Sequence, residues 1–426
     1  MTDRQPIAFG LLGRTLGHSW SPRIHAQLGS TPYELVELEP DEVTPFIREG
    51  SWRGLNVTIP YKRMAAEAAD TRSPRVEALG VANTLVHDAD GRVLADNTDV
   101  LGFAAMVEGF ARRELRASAK EAFGNRKALV LGTGGAAQAV AYALREMVGC
   151  KVAFVSRAGD STYENLTQLH ADAALVVNTT PVGMYPNCPA SPLADGKLER
   201  LPQLRAVLDV VYNPLRTGIC QQAERLGIPF ESGLAMLVWQ AIRASELFQG
   251  VQLDDAIFDR VMADLTAQCT NVALIGMPGA GKTTTGRCLA HLTGRPFVDL
   301  DSAFEMRFGI SPAECIRTRG EDEFRTMESE VVAYYGAQSG LVIACGGGVV
   351  TRERNFAALH QNASIVMLDR ALDQLALKGR PISVLRGIEV LAQERMPTYH
   401  AWADHVVSCT GSPDGDARTV RELLGI

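Results

Sequence analysis

The stretch VALIGMPGAGKT, residues 272–283, constrains this chain more than any other. An apolar run suited to a buried strand meets Gly276, and the G-x-x-x-x-G-K-[ST] spacing closes with Gly281, Lys282 and Thr283. Such a run implies strand, glycine-rich turn and helix start, in that order. Gly279 and Gly281 let backbone N–H groups curl around phosphate oxygens where a Cβ would obstruct them. The helix that follows aims its positive dipole end at the same oxygens. Lys282 is placed for the β- and γ-phosphates, and the Thr283 hydroxyl for Mg²⁺. The pattern points to ATP.

Most of the chain precedes this loop, and 426 residues suggest about three domains of ordinary size. The 46% hydrophobic content gives ample core. A formal charge of −7 without long like-charge runs argues against a nucleic-acid partner, which wants a basic face. Eight scattered cysteines without a C-x-x-C pair argue against zinc and redox motifs. Dispersed thiols fit a reduced, cytoplasmic location. The N-terminus lacks a basic-then-apolar signal pattern, and no apolar run reaches the roughly 18 residues of a membrane span.

From the start of the chain, an apolar strand candidate at 7–12 runs into GRTLGHSWSP. Ser19 and Ser21 flank Trp20, and Pro22 opens a helix. The two hydroxyls serve equally well as helix caps or as ligands for a polyol or carboxylate. In GLNVTIPYK, residues 54–62, Leu55, Val57 and Ile59 alternate with Asn56 and Thr58, which predicts a strand stopped by Pro60. Lys62 then falls in a helix's first turn, where a cation opposes the dipole; orienting the amine toward a substrate would explain that placement. Asn83 and Asp99 end strand-like stretches, where ligands collect. A lysine and an aspartate facing one pocket make an acid–base pair.

Residues 127–132 form a buried strand pattern that runs into GTGGAA. Gly132, Gly134 and Ala137 occupy the three positions of the dinucleotide fingerprint, between a strand and a helix. The next strand, 151–155, ends in Ser156-Arg157 rather than in the carboxylate that would take a ribose 2′-hydroxyl. A hydroxyl and a guanidinium suit a 2′-phosphate, so NADP is expected over NAD, with Asp160 nearby as the opposing sign. NTTPVGM at 178–184 and YNPLRT at 212–217 read as turns over the nicotinamide end. Gln240 is a polar residue on an apolar helix. The pattern breaks at 266–271, where the junction between the halves is expected.

Beyond the phosphate loop, residues 296–301 (PFVDLD) predict a strand ending in Asp299 and Asp301, carboxylates able to hold Mg²⁺ or take a proton from a hydroxyl. Arg325 lies on a helix, and Gly346-Gly347-Gly348 after a strand allow close backbone approach to a ligand. Arg325, Arg380 and Arg395 lack matching local acids, which suggests an anionic substrate.

These residues carry two resemblances. Residues 1 to about 265 resemble shikimate dehydrogenase through HSWSP, NVTIPYK, ANT, NTD, GTGGAA, NTTPVGM, VYNP and the helix bearing Gln240. Residues from about 271 to 426 are similar to shikimate kinase through GMPGAGKT, DLD, FRTME, GGG, GRP and RMPTY. The resemblance implies an α/β fold: a substrate domain at 1–100 with 233–265 packing back on it, a Rossmann-like NADP domain at 101–232, and a P-loop kinase domain at 271–426. It implies that Ser19, Ser21, Thr58, Asn83, Tyr212 and Gln240 hold the dehydrogenase substrate, with Lys62 and Asp99 as the catalytic pair. Gly132, Gly134, Gly135, Ser156 and Arg157 would bind NADP(H). In the kinase half Arg325, Gly347, Gly348 and Arg395 would bind shikimate, beside catalytic Asp301 and Lys282. Gly276, Gly279, Gly281, Thr283, Thr284 and Arg380 would serve ATP, with Thr283 and Asp299 on Mg²⁺.

The chain departs from these families in having a short 157–178 segment, Ser156 in place of the usual Asn, and a short stretch at 369–395 that includes the kinase lid. The expected activity is bifunctional: NADPH-dependent reduction of 3-dehydroshikimate, then phosphorylation of shikimate by ATP. The partners are small molecules, and oligomeric state is left open. Two rivals share the motifs: an NAD-linked quinate/shikimate dehydrogenase fused to a kinase, and a metabolite sensor built from inactive copies. A sensor could dispense with Lys62, Lys282 or Asp301, and all three are present.

Overall fold

The structure is a computed structural model that describes residues 7–17, 19–375 and 387–426. The chain forms two compact units. The first comprises Met1–Pro181, Pro192–Tyr212 and Gln222–Asp264; the second comprises Val182–Ser191, Asn213–Gln221 and Leu265–Ile426. Among the described residues no helix is long and apolar enough to cross a membrane.

The first unit holds two sheets. One contains β1 (Ile7–Gly13), β2 (Tyr33–Glu37), β3 (Trp52–Val57), β4 (Thr71–Arg72), β5 (Thr84–His87) and β6 (Val93–Asp96), in the order β2-β1-β3-β5-β6-β4. β1 is parallel to β2 and β3, whereas β5 runs antiparallel to β3 and β6. β1 is buried along almost its whole length, as its unbroken apolar sequence requires of an inner strand. Leu12, Val36, Leu55 and Leu85 pack there with Val43 and Ile47 of the Pro40–Glu49 helix. β3 stops at Val57, two residues before the alternation does. The Thr58 N–H bonds Leu12 O, but the Tyr61 N–H bonds back to Thr58 O, so the chain turns and leaves Ile59 78% exposed.

The other sheet contains β7 (Lys127–Leu131), β8 (Lys151–Val155), β9 (Ala173–Asn178), β10 (Ala206–Asp209) and β11 (Phe230–Glu231), in the order β11-β10-β9-β7-β8. Every pairing is parallel. β9 and β10 are buried at every residue, which explains their continuous apolar runs. Two long helices, Thr98–Leu115 and Leu234–Gln249, cross at Gly102, where an added Cβ would stand 2.7 Å from Gln240 N.

The second unit carries an all-parallel sheet of β12 (Asn271–Ile275), β13 (Phe297–Asp299), β14 (Val342–Ala344), β15 (Ala363–Asp369) and β16 (His405–Ser408), in the order β13-β14-β12-β15-β16. β12 is central and fully buried, so the phosphate loop leaves from the middle of the sheet's carboxyl edge, where such folds bind ligands.

Two local expectations shift. The break predicted at 266–271 is mostly helix, because Ala256–Cys269 continues to its end with Val261, Leu265 and Cys269 buried at four-residue spacing. Asp99 and Asp301 lie in the first turns of helices Thr98–Leu115 and Leu300–Phe308, not at strand ends. In both places an asparagine or aspartate two residues earlier caps the helix and ends the extended segment: Asn97 and Asp299.

Candidate active sites

In the second unit Gly276, Gly279 and Gly281 adopt φ of 136°, 91° and 102°, values open to glycine and strained for other residues. Lys282 is 7% exposed and its Nζ donates to Gly276 O at 2.8 Å and Met277 O at 3.0 Å, so the loop's own carbonyls hold the ammonium at its mouth. Thr284 Oγ1 donates to Gly281 O at 2.8 Å. Asp299 divides its carboxylate. Oδ1 accepts from the N–H groups of Asp301 and Ser302, both at 3.1 Å, and Oδ2 accepts from Thr283 Oγ1 at 2.6 Å. A hydroxyl and a carboxylate side by side are hard oxygen donors that suit Mg²⁺.

The same cavity, about 480 Å³, runs from Lys282 and Thr283 to Asp301, Arg325 and Arg395. Arg325 is 6% exposed and does not lack local acids as expected: it pairs with Glu328 at 2.8 Å and Glu321 at 3.1 Å, both one turn away on its own helix. Burial pushes the Glu328 carboxyl above the usual carboxylate range, with Arg325 offsetting part of the rise. Arg395 Nη1 donates to Gly347 O at 3.0 Å, and the Tyr399 hydroxyl donates to the same oxygen. The three glycines are required by close approach. A Cβ at Gly348 would stand 2.0 Å from Arg325 Nη2, one at Gly347 2.6 Å from Pro278 Cγ, and one at Gly346 2.8 Å from Glu328 Oε1. Arg380 lies outside the described residues.

Three titratable cavity residues are given no role by the sequence: Glu328, Cys345 and Arg370. Glu328 follows Arg325 by one helical turn, a spacing that could have flagged it. Burial pushes the Cys345 thiol far up, which keeps it protonated.

In the first unit, Lys62 Nζ and Asp99 Oδ2 lie 2.6 Å apart with side chains 31% and 20% exposed, a half-buried pair open to a ligand. Lys62 begins the Lys62–Ala68 helix and Asp99 lies in the first turn of Thr98–Leu115. Asn83 is buried between them in sequence and held hard. Its Oδ1 accepts from Thr98 N at 2.7 Å and from the hydroxyls of Thr84 and Thr98, both at 3.2 Å. Because a backbone N–H only donates, the atom facing it must be the carboxamide oxygen, and Asn83 Nδ2 is left to donate elsewhere. Thr58 borders Gly13, where an added Cβ would stand 2.8 Å from Thr58 Cγ2. Ser19 Oγ accepts from Ser21 N at 3.2 Å, and Tyr33, beside Ser21, donates its hydroxyl to Asn56 Oδ1 at 2.8 Å. Gln240 sits on the Leu234–Gln249 helix against Gly102, which lies three residues beyond Asp99, and its Nε2 donates to Leu237 O at 2.9 Å. Tyr212 follows β10.

At the glycine-rich turn, Gly132 has φ 106°, and an added Cβ would stand 3.0 Å from Thr180 Cγ2. Gly134 caps the Gly135–Tyr142 helix, and a Cβ at Gly134 or Gly135 would meet nothing within 4 Å, so the approach to the helix start is open. The short segment after β8 is a turn held largely by its own hydrogen bonds. Ser156 donates its hydroxyl to Ala158 O, Thr162 N donates to Asn165 Oδ1 at 2.8 Å, and Asn165 Nδ2 donates to Asp160 O at 2.9 Å. Arg157 is exposed, and Asp160 is exposed nearby.

The family description "Shikimate dehydrogenase substrate binding domain" matches residues 11–85, and "Shikimate kinase" matches residues 278–424. Over 278 residues the chain is 32% identical to a shikimate dehydrogenase (NADP(+)) of Clostridium perfringens, covering 60% of this chain and 97% of the relative. Identity to the enzyme of the same description from Methylobacterium radiotolerans is 35% over 290 residues, covering 62% and 99%. Among solved structures it is similar to a chorismate mutase/shikimate 5-dehydrogenase fusion protein from Clostridium acetobutylicum, with TM-score 0.53, 29% identity, and coverage of 62% of this chain and 97% of that one. It is also similar to the shikimate 5-dehydrogenase of Thermus thermophilus in complex with NADP(H) and shikimate, with TM-score 0.50, 31% identity, and coverage of 61% and 99%.

Proposed function

The chain belongs to the shikimate dehydrogenase family and carries a shikimate kinase domain over residues 278–424, and from this we propose a bifunctional enzyme that reduces 3-dehydroshikimate to shikimate and then phosphorylates shikimate. The observation that carries the reading is the presence in one chain of the Lys62–Asp99 pair and of a cavity joining a phosphate loop to two buried arginines. The two reactions act on the same oxygen, first made a hydroxyl and then esterified.

In the first reaction Lys62 donates the proton to the carbonyl oxygen, and Asp99 holds its Nζ in place. Ser19, Ser21, Thr58, Asn83, Tyr212 and Gln240 orient the remaining polar groups. Bound NADPH supplies the hydride, and Gly132, Gly134, Gly135, Ser156 and Arg157 are the residues suited to hold it, Arg157 toward the 2′-phosphate. In the second reaction Asp301 takes the proton of the substrate hydroxyl while Arg325 and Arg395 fix the substrate's carboxylate. Lys282 and the loop N–H groups meet the charge developing on the phosphates. Thr283 and Asp299 suit Mg²⁺, which neutralises phosphate charge when bound. The functional domains follow as 1–100 with 233–265, 101–232, and 271–426. Free cysteines throughout the described residues and the modest negative charge support a cytoplasmic enzyme with small-molecule partners.

A coupled assay with 3-dehydroshikimate, NADPH, ATP and Mg²⁺ tests this on the wild type, Lys62→Ala and Lys282→Ala. Lys62→Ala should lose roughly 10²-fold or more of reduction and keep phosphorylation of added shikimate. Lys282→Ala should lose a similar factor of phosphorylation and keep reduction. A wild-type chain inert toward either substrate sinks the reading for that half.

A further inference from the structure

We propose that Arg370 is a nucleotide-binding residue of the second unit, its guanidinium contacting the phosphate chain of the ATP held by the loop at 276–283, with Asp416 positioning it. The proposal rests on the kinase reading above and adds a residue to it.

Topology puts Arg370 in place. It follows β15 directly, and β15 lies beside β12 with Ile275 opposite Met367, so both strands deliver their next residues to the same edge of the sheet. The loop leaves one and Arg370 leaves the other. The side chain reaches the loop: a Cβ on Gly281 would stand 3.8 Å from Arg370 Nη2. Arg370 lines the same cavity as Lys282 and Thr284. Its side chain is 16% exposed, so it is largely enclosed yet still reachable by a ligand.

The carboxylate behind it explains how the arginine stays there. Asp416 is fully buried in the first turn of the Pro413–Leu424 helix. Its Oδ1 accepts from Thr410 N at 2.7 Å and Thr410 Oγ1 at 2.8 Å. Its Oδ2 is 3.8 Å from Arg370 Nη2, within ion-pair range and beyond hydrogen-bond length. Such a slack pair fixes where the cation sits while using little of a fork that carries five N–H donors. A largely buried ion pair is poor material for stability alone, since a well-packed apolar pair does as well. It is good material for an anion site, because a guanidinium matches two phosphate oxygens at once. Lys282 is a point charge, already turned toward Gly276 O and Met277 O; Arg370 adds a second, planar cation at the loop. The acceptor end of the cavity has its own arginines at 325 and 395 beside Gly347 and Gly348, which leaves Arg370 to the nucleotide.

The test uses the full chain with Arg370→Gln, Arg370→Lys and Asp416→Asn. It measures ADP and adenosine affinity by calorimetry, and KM for ATP and for shikimate, with adenosine affinity and the shikimate KM as the folding control of the second unit and the dehydrogenase rate as that of the first. Arg370→Gln should weaken ADP binding and raise the ATP KM about tenfold, leaving adenosine affinity, the shikimate KM and the dehydrogenase rate within about twofold of wild type. Arg370→Lys should recover part of the loss, and Asp416→Asn should show a smaller change in the same direction. ADP affinity unchanged in Arg370→Gln overturns the proposal, as does a rise in the shikimate KM with the ATP KM unmoved. If Arg370→Gln fails to fold, Arg370→Lys decides alone: wild-type ADP affinity in a variant without the fork overturns the proposal. A wild type that binds ADP and transfers no phosphate to shikimate refutes the kinase reading, while the ADP comparison still decides Arg370.

Discussion

A buried guanidinium occupies the place where most residues carry a Cβ. Arg325 lies against Gly348 so closely that a methyl group there would overlap Nη2, Cζ and Nη1 at 2.0 to 2.3 Å. Glu328 and Glu321 also hold the guanidinium, so the flexible end of this arginine has little freedom to yield. Gly348→Ala should therefore displace Arg325 from the substrate rather than unfold the unit. The expected outcome is a shikimate KM raised about tenfold in the phosphorylation assay, with the ATP KM and the reduction rate near wild type. Equal damage to both substrates would show that the glycine serves the loop as a whole. Gly348 was legible in the sequence as part of a triple glycine after a strand. The reason for it was not, because the arginine that fills the space lies far off in the chain, on a helix.

Between elements, the decisive close approach is the crossing of the Thr98–Leu115 and Leu234–Gln249 helices. Gly102→Ala would set a methyl 2.7 Å from Gln240 N and Cβ, and backbone cannot move aside as a side chain can. The change should cost about 1–3 kcal/mol of stability in the first unit and raise the dehydroshikimate KM by moving Gln240. Urea unfolding followed through dehydrogenase activity would register the first effect and steady-state kinetics the second. Individual strands and helix starts near the sites were largely readable, since burial at the sheet centre writes continuous apolar runs and Pro, Ser and Asp mark helix entries; the order of the strands in each sheet was not. Lys62 and Asp99 could be paired from their positions after strand-like stretches. Arg370 could not be found in this way, because its meaning depends on which strand ends lie side by side. The helix Ala256–Cys269 was hidden by its polar residues Thr266 and Gln268, while three buried positions four apart sustain it.

At the scale of the whole molecule, the first unit contains a titrating group that the second does not share. His25 is fully buried and stacked on Tyr33, with ring centroids 4.2 Å apart, and burial pushes its pKa from 6.5 to about 3, the neighbouring Asn56 side chain offsetting part of the fall. The unfolded chain takes up a proton near pH 6.5 that the folded chain refuses. This stability is present above pH 6.5 and is lost as pH falls toward 3. Between about pH 6.5 and 5 the loss is about 2 kcal/mol. Dehydrogenase activity should therefore fail at lower urea near pH 5 than near pH 7, and His25→Leu should flatten that dependence. An unchanged slope in the variant would assign the pH effect to other groups. In the second unit, the hydroxyl of Thr283 already donates a hydrogen bond to Asp299 Oδ2 at 2.6 Å. A divalent ion that claims both oxygens has to displace that bond, and a lone hydrated ion brings little to compensate. The consequence is an order of arrival: the ion should enter as the nucleotide's passenger, and chelator should leave the melting of the nucleotide-free chain unmoved.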